Sequence, residues 1–331
     1  MIIEIDDKPV SRIDDYLNQL VARHEFCGSV IIARPDGLQI KKGYGMANFE
    51  LDVPNRPFTR FRIASLTKPF TATAIMLLQE RGALELSDRI NRFIPDYQQG
   101  SRITIGHLLN HTAGVPNICD SADYSILLKL PCSRELLIKR IIDRPLEFAP
   151  GEQYNYSNSG YILLGHIIEL VSGQSYGYFL WKNIFEPLQM NNTCLDYSRP
   201  ILPSRASGYR FENGRLVNAD YINMEYSFSS GGLCSTVEDL FRWDRALYTD
   251  RVLSSALLNE MFTPGLGNYG LGWAVYEVFG RQVVTHSGGL NGFTSHLARF
   301  VDDGVCIIIL SNFQHTEINR IGYDLATILF E

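Results

Sequence analysis

Strand patterns at both ends of the chain, with helical patterns between them, restrict the fold more than any other feature of this sequence. Gly28-Ser29-Val30-Ile31-Ile32-Ala33-Arg34 reads as a buried strand, followed by the turn Pro35-Asp36-Gly37 and a second strand over 38–46. At the far end, Leu271 to Val278 and Gln282 to Thr285 read as strands joined through Phe279-Gly280-Arg281. Ser295–Val301 and Val305–Ser311 flank the turn Asp302-Asp303-Gly304. Ile13, Leu17, Leu20 and Val21 have helical spacing, giving a helix over 11–24, and Ile318, Ile321, Leu325, Ile328 and Leu329 give a final one.

From Ser65 to Leu258 the pattern is mostly helical with long loops. The first helix runs through Ala74-Ile75-Met76-Leu77-Leu78 to a stop at Gly82 and is apolar on all sides. Others are expected near 104–110, 134–143, 158–172, 176–184 and 237–248, the last with Ser235 and Glu238 as a capping box. The layout predicts an α+β fold. One antiparallel β-sheet is built from N- and C-terminal segments (1–64 and 265–331), with terminal helices on one face. A mainly helical region, 65–264, is inserted between them, and no internal repeat or low-complexity tract interrupts the chain.

With 331 residues, 45% hydrophobic and 20% charged, the chain has ample material for a core and none of the bias of a disordered protein. A net charge of −6 and the lack of a Lys/Arg-rich run argue against nucleic acid and acidic membranes as partners. Val305-Cys306-Ile307-Ile308-Ile309-Leu310 is too short to span a bilayer. Met1 to Asp7 has neither a basic region nor an apolar stretch of signal-peptide type, so a cytoplasmic location is expected. The six cysteines, without CxxC spacing, read as free thiols in a reducing compartment. The histidines do not cluster with them and no His-Glu-x-x-His occurs, so neither a metal nor a cofactor is expected.

Three stretches carry chemistry. In Ala64-Ser65-Leu66-Thr67-Lys68-Pro69-Phe70 a hydroxyl and an amine stand one helical turn apart, with Pro69 marking the helix start. A lysine desolvated among apolar side chains loses its preference for the ammonium form and can take a serine proton. The helix start favours a developing oxyanion at Ser65. In Tyr154-Asn155-Tyr156-Ser157-Asn158-Ser159-Gly160, Tyr156 can relay a proton and Asn158 can orient a carbonyl or hold a lysine. By itself that stretch is equally a turn with Ser157 or Asn158 capping the next helix. In Val283-Val284-Thr285-His286-Ser287-Gly288-Gly289, a histidine ends a strand and two glycines allow backbone to approach a ligand closely. The backbone N–H groups of Ser65 and Gly289 would make a two-donor oxyanion hole.

Two further matches do not fit their usual contexts. Gly173-Gln174-Ser175-Tyr176-Gly177 has nucleophile-elbow spacing, but a helix precedes it, so Gly173 reads as a helix stop. Gly265-Leu266-Gly267-Asn268-Tyr269-Gly270 has dinucleotide-site spacing but leads into a strand.

Ser-x-x-Lys, then Tyr156-Ser157-Asn158, then a strand ending in His286-Ser287-Gly288 resembles the penicillin-recognising serine hydrolases. The likeness is to the branch of class C β-lactamases, D-alanyl-D-alanine carboxypeptidases, D-aminopeptidases and related (family VIII-type) esterases. Gly43-Tyr44-Gly45-Met46-Ala47-Asn48, Leu108-Leu109-Asn110-His111-Thr112-Ala113-Gly114 and Ser230-Gly231-Gly232-Leu233 extend it over nearly the whole chain. The resemblance implies a β-lactamase/transpeptidase-like fold with the active site in the cleft between sheet and helical regions. It implies Ser65 as acylated nucleophile, with Lys68 and Tyr156 as proton-transfer groups whose division of labour stays open. Asn158, His286, Gly288 and Gly289 would contact substrate.

The departure is His286, where class C β-lactamases have the lysine of Lys-Thr-Gly. An imidazole holds a substrate carboxylate less well than a fixed charge. The expectation is therefore a carboxylesterase on small acyl esters. D-amino-acid amide hydrolysis, weak β-lactam hydrolysis and a non-catalytic penicillin-binding or sensing role are the alternatives. Loops over 115–132 and 186–230 are expected to shape the pocket.

Overall fold

A computed structural model describes residues 8–331, so the reading made of Met1 to Asp7 lies outside the described residues. A six-stranded sheet is made from both ends of the chain. Its strands are β1 (Gly28–Arg34), β2 (Gly37–Tyr44), β3 (Ala274–Val278), β4 (Arg281–Leu290), β5 (Phe293–Phe300) and β6 (Val305–Ser311). Their spatial order is β3-β4-β5-β6-β1-β2, and every pairing is antiparallel.

The central strands of the sheet are buried on both faces. Val30 and Ile32 of β1, with Val305, Ile307 and Ile309 of β6, pack against helices α1 (Lys8–Ala22) and α5 (Ile318–Phe330). Ile31 and Ala33, with Cys306, Ile308 and Leu310, pack against the helical region. That is why these two central strands read as unbroken apolar runs rather than alternating ones. The helical region includes α2 (Lys68–Glu80), α3 (Asn158–Ser172) and α4 (Val237–Ala246). From Lys68 to Leu78 every side chain of α2 is buried. The architecture is therefore the α+β arrangement expected from the sequence, an antiparallel sheet built from both ends of the chain with a mainly helical region inserted between them.

Several boundaries differ for identifiable reasons. The second strand ends at Tyr44, because Gly45 turns the chain at φ 64° before a short strand, Met46–Asn48. Helix α4 is capped by Thr236, whose hydroxyl accepts from the Asp239 N–H, not by a Ser235/Glu238 box. Gly173 does end α3, in the left-handed region at φ 67°. The region also holds elements that were not anticipated. These are a helix over Ser255–Phe262, a hairpin of Tyr209–Glu212 with Arg215–Asn218, and a three-stranded sheet of Phe61–Arg62, Leu233–Ser235 and Cys194–Leu195.

A fully buried ion pair joins sheet to helices. Arg299 of β5 donates from Nε to Asp244 Oδ1 of α4 at 2.7 Å, with both side chains fully buried. Asp244→Ala leaves the guanidinium buried without a carboxylate. It is expected to lower stability by about 3–5 kcal/mol, read as a lower midpoint in urea at unchanged slope.

Candidate active site

Ser65 lies in a 3-10 turn, Ala64–Thr67, that runs directly into α2, so Pro69 stands in the first turn of the α-helix as expected and Ser65 lies one turn before it. Ala64 sits at φ 47°, in the left-handed region that a residue with a Cβ occupies only at a cost of roughly 1 kcal/mol or more. Strand β4 packs straight onto this strained turn. A Cβ on Gly288 would come 2.5 Å from Ile63 O and 2.7 Å from Ser65 N, so only glycine allows the approach.

Lys68 is fully buried, and three groups surround its Nζ. Ser65 Oγ is at 3.1 Å, Asn158 Oδ1 at 2.7 Å and the Ser230 carbonyl at 2.8 Å. The rings of Tyr156 and Tyr161 flank it with centroids at 4.7 and 5.5 Å. No carboxylate among the described residues touches it, and burial, opposed in part by Cys119, pushes its pKa down to about 7.

Asn158 opens α3, and its orientation is fixed. Its backbone N–H and Nδ2 both donate to Asn117 Oδ1, and Nδ2 also donates to Cys119 Sγ, leaving Oδ1 for the lysine. Tyr156 hydrogen-bonds to Ser65, and burial pushes its phenol above the usual range. Its ring lies 4.3 Å from that of His111, whose Nδ1 accepts the Ser157 N–H at 3.1 Å.

His286 completes the ring of groups. Its Nδ1 is 2.7 Å from the Ser287 carbonyl, which can only accept, so this nitrogen carries the proton. Its Nε2 then accepts from the Tyr269 hydroxyl at 3.0 Å. Burial, reinforced by Lys68, pushes its pKa down to about 3, so the ring is neutral.

Strand β4 does not stop at Thr285 as expected but continues to Leu290, so His286, Gly288 and Gly289 lie within it. The pairing register gives the direction of its backbone. Two-residue turns at Phe279-Gly280 and Asn291-Gly292 close on the pairs Val278/Arg281 and Leu290/Phe293. Hydrogen-bonded pairs alternate along an antiparallel ladder, so even-numbered residues of β4 bond to β5 and odd-numbered ones face β3. Strand β3 reaches only as far as Thr285, paired with Ala274. The N–H groups of Ser287 and Gly289 therefore lie on an open strand edge.

Ser65, Lys68, Tyr156, Asn158 and His286 are thus brought together, with Gly288 and Gly289 on the adjoining strand. Sequence reasoning missed Asn117, Cys119, Tyr269 and the role of the Ser230 carbonyl. His111 was noted only as part of a framework stretch. The loops named beforehand reach the site through these polar contacts and do not line the main cavity, whose walls come from Tyr154, Tyr156, Tyr269, the sheet and α5. No group of three or more His, Cys, Asp or Glu side chains able to hold a metal occurs among the described residues, and no helix among them is long and apolar enough to cross a membrane.

The Beta-lactamase family model matches residues 13–327. The chain belongs to that family. It is 33% identical over 320 residues to penicillin-binding protein 4* of Bacillus subtilis, spanning 88% of this chain and 69% of that one. The octameric penicillin-binding protein homologue of Pyrococcus abyssi superposes with a TM-score of 0.87 at 29% identity, over 99% of this chain and 78% of its own. The D-amino acid amidase of Ochrobactrum anthropi SV3 gives 0.85 at 24% identity, over 98% and 99%, and shares the fold. The family is one of serine hydrolases and penicillin-binding proteins.

The surroundings of Lys68 make a prediction about this family member that is independent of substrate. Its ε-carbon NMR shift should titrate near 7. Asn158→Asp sets a carboxylate against Nζ, which favours the ammonium and should raise that midpoint by about one unit or more.

Proposed function

We propose that the protein hydrolyses uncharged carboxylic esters through an acyl-enzyme on Ser65. The observation that carries this reading is the set of three contacts at Lys68 Nζ. A neutral amine has two N–H bonds and one lone pair. Asn158 Oδ1 and the Ser230 carbonyl accept the two N–H bonds, which leaves the lone pair for the Ser65 hydroxyl at 3.1 Å. With the ammonium pushed down to about 7, a large share of Lys68 is in this form at neutral pH. Tyr156, pushed the opposite way, stays a phenol. Lys68 is therefore assigned as the base and Tyr156 as the donor.

Ser65 Oγ attacks the ester carbon while its proton passes to Lys68. The carbonyl oxygen takes the negative charge and accepts from the N–H groups of Ser65 and Gly289, each donor contributing about 3 kcal/mol. As the tetrahedral intermediate collapses, the Tyr156 hydroxyl protonates the departing alkoxide and recovers a proton from the Lys68 ammonium. Water then attacks the acyl-Ser65 bond with the same groups acting in reverse. Asn158 holds the lysine, while His286 and Tyr269 form the neutral wall beside the reacting carbonyl.

The charge of the cavity supports esters over the alternatives. Among the described residues lining it there is no Lys, Arg, Asp or Glu. A β-lactam carboxylate finds no cation there, and the ammonium of an amino-acid amide finds no anion. Activated esters should therefore outpace a chromogenic cephalosporin and D-amino-acid anilides and give burst kinetics. Ser65→Ala should lose on the order of 10⁶-fold in kcat, and full activity in that variant would refute the proposal. The base must be unprotonated, so kcat/KM should fall about tenfold per pH unit below a midpoint near 7.

A further inference from the structure

The cavity that begins at Ser65 does not end at the reacting groups. It has a volume of about 670 Å³ and continues between the outer face of β3–β5 and helix α5. Side chains on that face are set in rows by the pairing register, and their polarity falls with distance from Ser65. Ser287 and His296 are paired nearest the nucleophile, Ala274 and Ala298 flank Thr285 in the middle, and Val283 and Phe300 are paired further out. His296, only 8% exposed, is hydrogen-bonded to Asn319 of α5. From Ser287 to Val283 the strand advances about 13 Å.

The opposite wall is made of small residues. Gly322 and Ala326 lie one helical turn apart on α5, facing the sheet. A Cβ at Gly322 would lie 2.6 Å from His296 Nε2, so the helix approaches as closely as it does only through glycine. The far end is marked by aromatic side chains. Tyr276 and Tyr323 line it and are about half exposed. Phe279 lies with its ring 5.2 Å from that of Tyr323, 40% exposed. Phe279 holds φ 55° in the two-residue turn before Gly280, where Asn or Gly is favoured and a bulky residue is strained. Strain of this kind is retained where surrounding structure over-determines it, and here it sets an aromatic ring at the cavity's end.

We propose that this trough binds the hydrocarbon arm of the ester, an unbranched chain of about eight to ten carbons laid from His296 to Phe300. The proposal rests on the ester reading and extends it from small acyl groups to medium chains. Continuity decides the occupant, because one cavity holds both Ser65 and the apolar rows. A chain bonded to the reacting carbonyl enters past the polar rows and ends among Val283, Phe300 and Tyr323.

The test is a series of p-nitrophenyl esters from acetate to decanoate. The ratio of kcat/KM for decanoate over acetate should be on the order of 10²-fold or more, at up to about threefold per methylene buried. Ala274→Phe, and independently Ala326→Phe from the opposite wall, fill the middle of the trough and should bring that ratio towards one. A flat series in the unaltered enzyme, or a ratio unchanged by both substitutions, overturns the proposal. Calorimetry of decanamide with the Ser65→Ala enzyme separates the trough from the chemistry. Binding lost on adding Ala274→Phe supports the trough even where no ester is turned over. Absent binding, or binding indifferent to the plug, counts against it.

Discussion

A lysine buried without a carboxylate partner governs this structure. Desolvation disfavours the ammonium of Lys68 and outweighs the opposing pull of Cys119. A neutral amine in a packed interior still needs acceptors for its N–H bonds. The fold supplies them from two distant segments, the side chain that opens α3 and the carbonyl of Ser230. Asn117 and Cys119 exist in this network to hold Asn158 the right way round. The strained turn at Ala64 and the glycine at 288 belong to the same constraint, since they seat Ser65 against the one face of the amine left open.

Strand β4 couples this centre to the trough. Its even-numbered side chains face Ser65 and the helical region, while its odd-numbered ones face α5, and beyond Thr285 its outer edge is not paired with β3. Three tasks fall to successive residues of one strand. A slip of one residue in register would put Ser287 beside Ser65 and His286 in the trough. Both two-residue hairpins flanking β4, with Gly280 at φ 68° and Gly292 at φ 78°, pin that register.

The parts of the fold legible in the sequence were those with strong local signals. β1 and β6 are continuous apolar runs bounded by turn residues, and their limits agree with the expected ones to the residue. The pairs Phe61–Arg62 and Cys194–Leu195 are too short for any period, so their three-stranded sheet could not be read. At the site, the motif residues were visible because Ser65 and Lys68 share one helical turn and Tyr156 and Asn158 share one loop. The partners that tune them were not. Ser230 acts through its carbonyl, which any residue type provides, and Tyr269 meets His286 only because the chain folds back before β3. The trough was hidden for a different reason: it depends on what Gly322, Ala326 and Ala298 lack, and small residues give no pattern of their own.

His286 shows how charge at one position limits charge at another. Lys68 and the His286 ring both lie against Tyr156, and the positive charge of Lys68 disfavours protonation of the imidazole. A lysine at 286, as class C β-lactamases carry in their Lys-Thr-Gly, brings a fixed positive charge that suits a substrate carboxylate and further depresses Lys68. A neutral imidazole gives up that anchor and leaves the cavity without net charge. On the proposed reading, such a cavity would select substrates by shape and apolar area rather than by a salt bridge, because a buried ion without a partner costs several kcal/mol. The neutral wall at His286 and the apolar rows beyond His296 would then exclude the same ligands and favour the same ones.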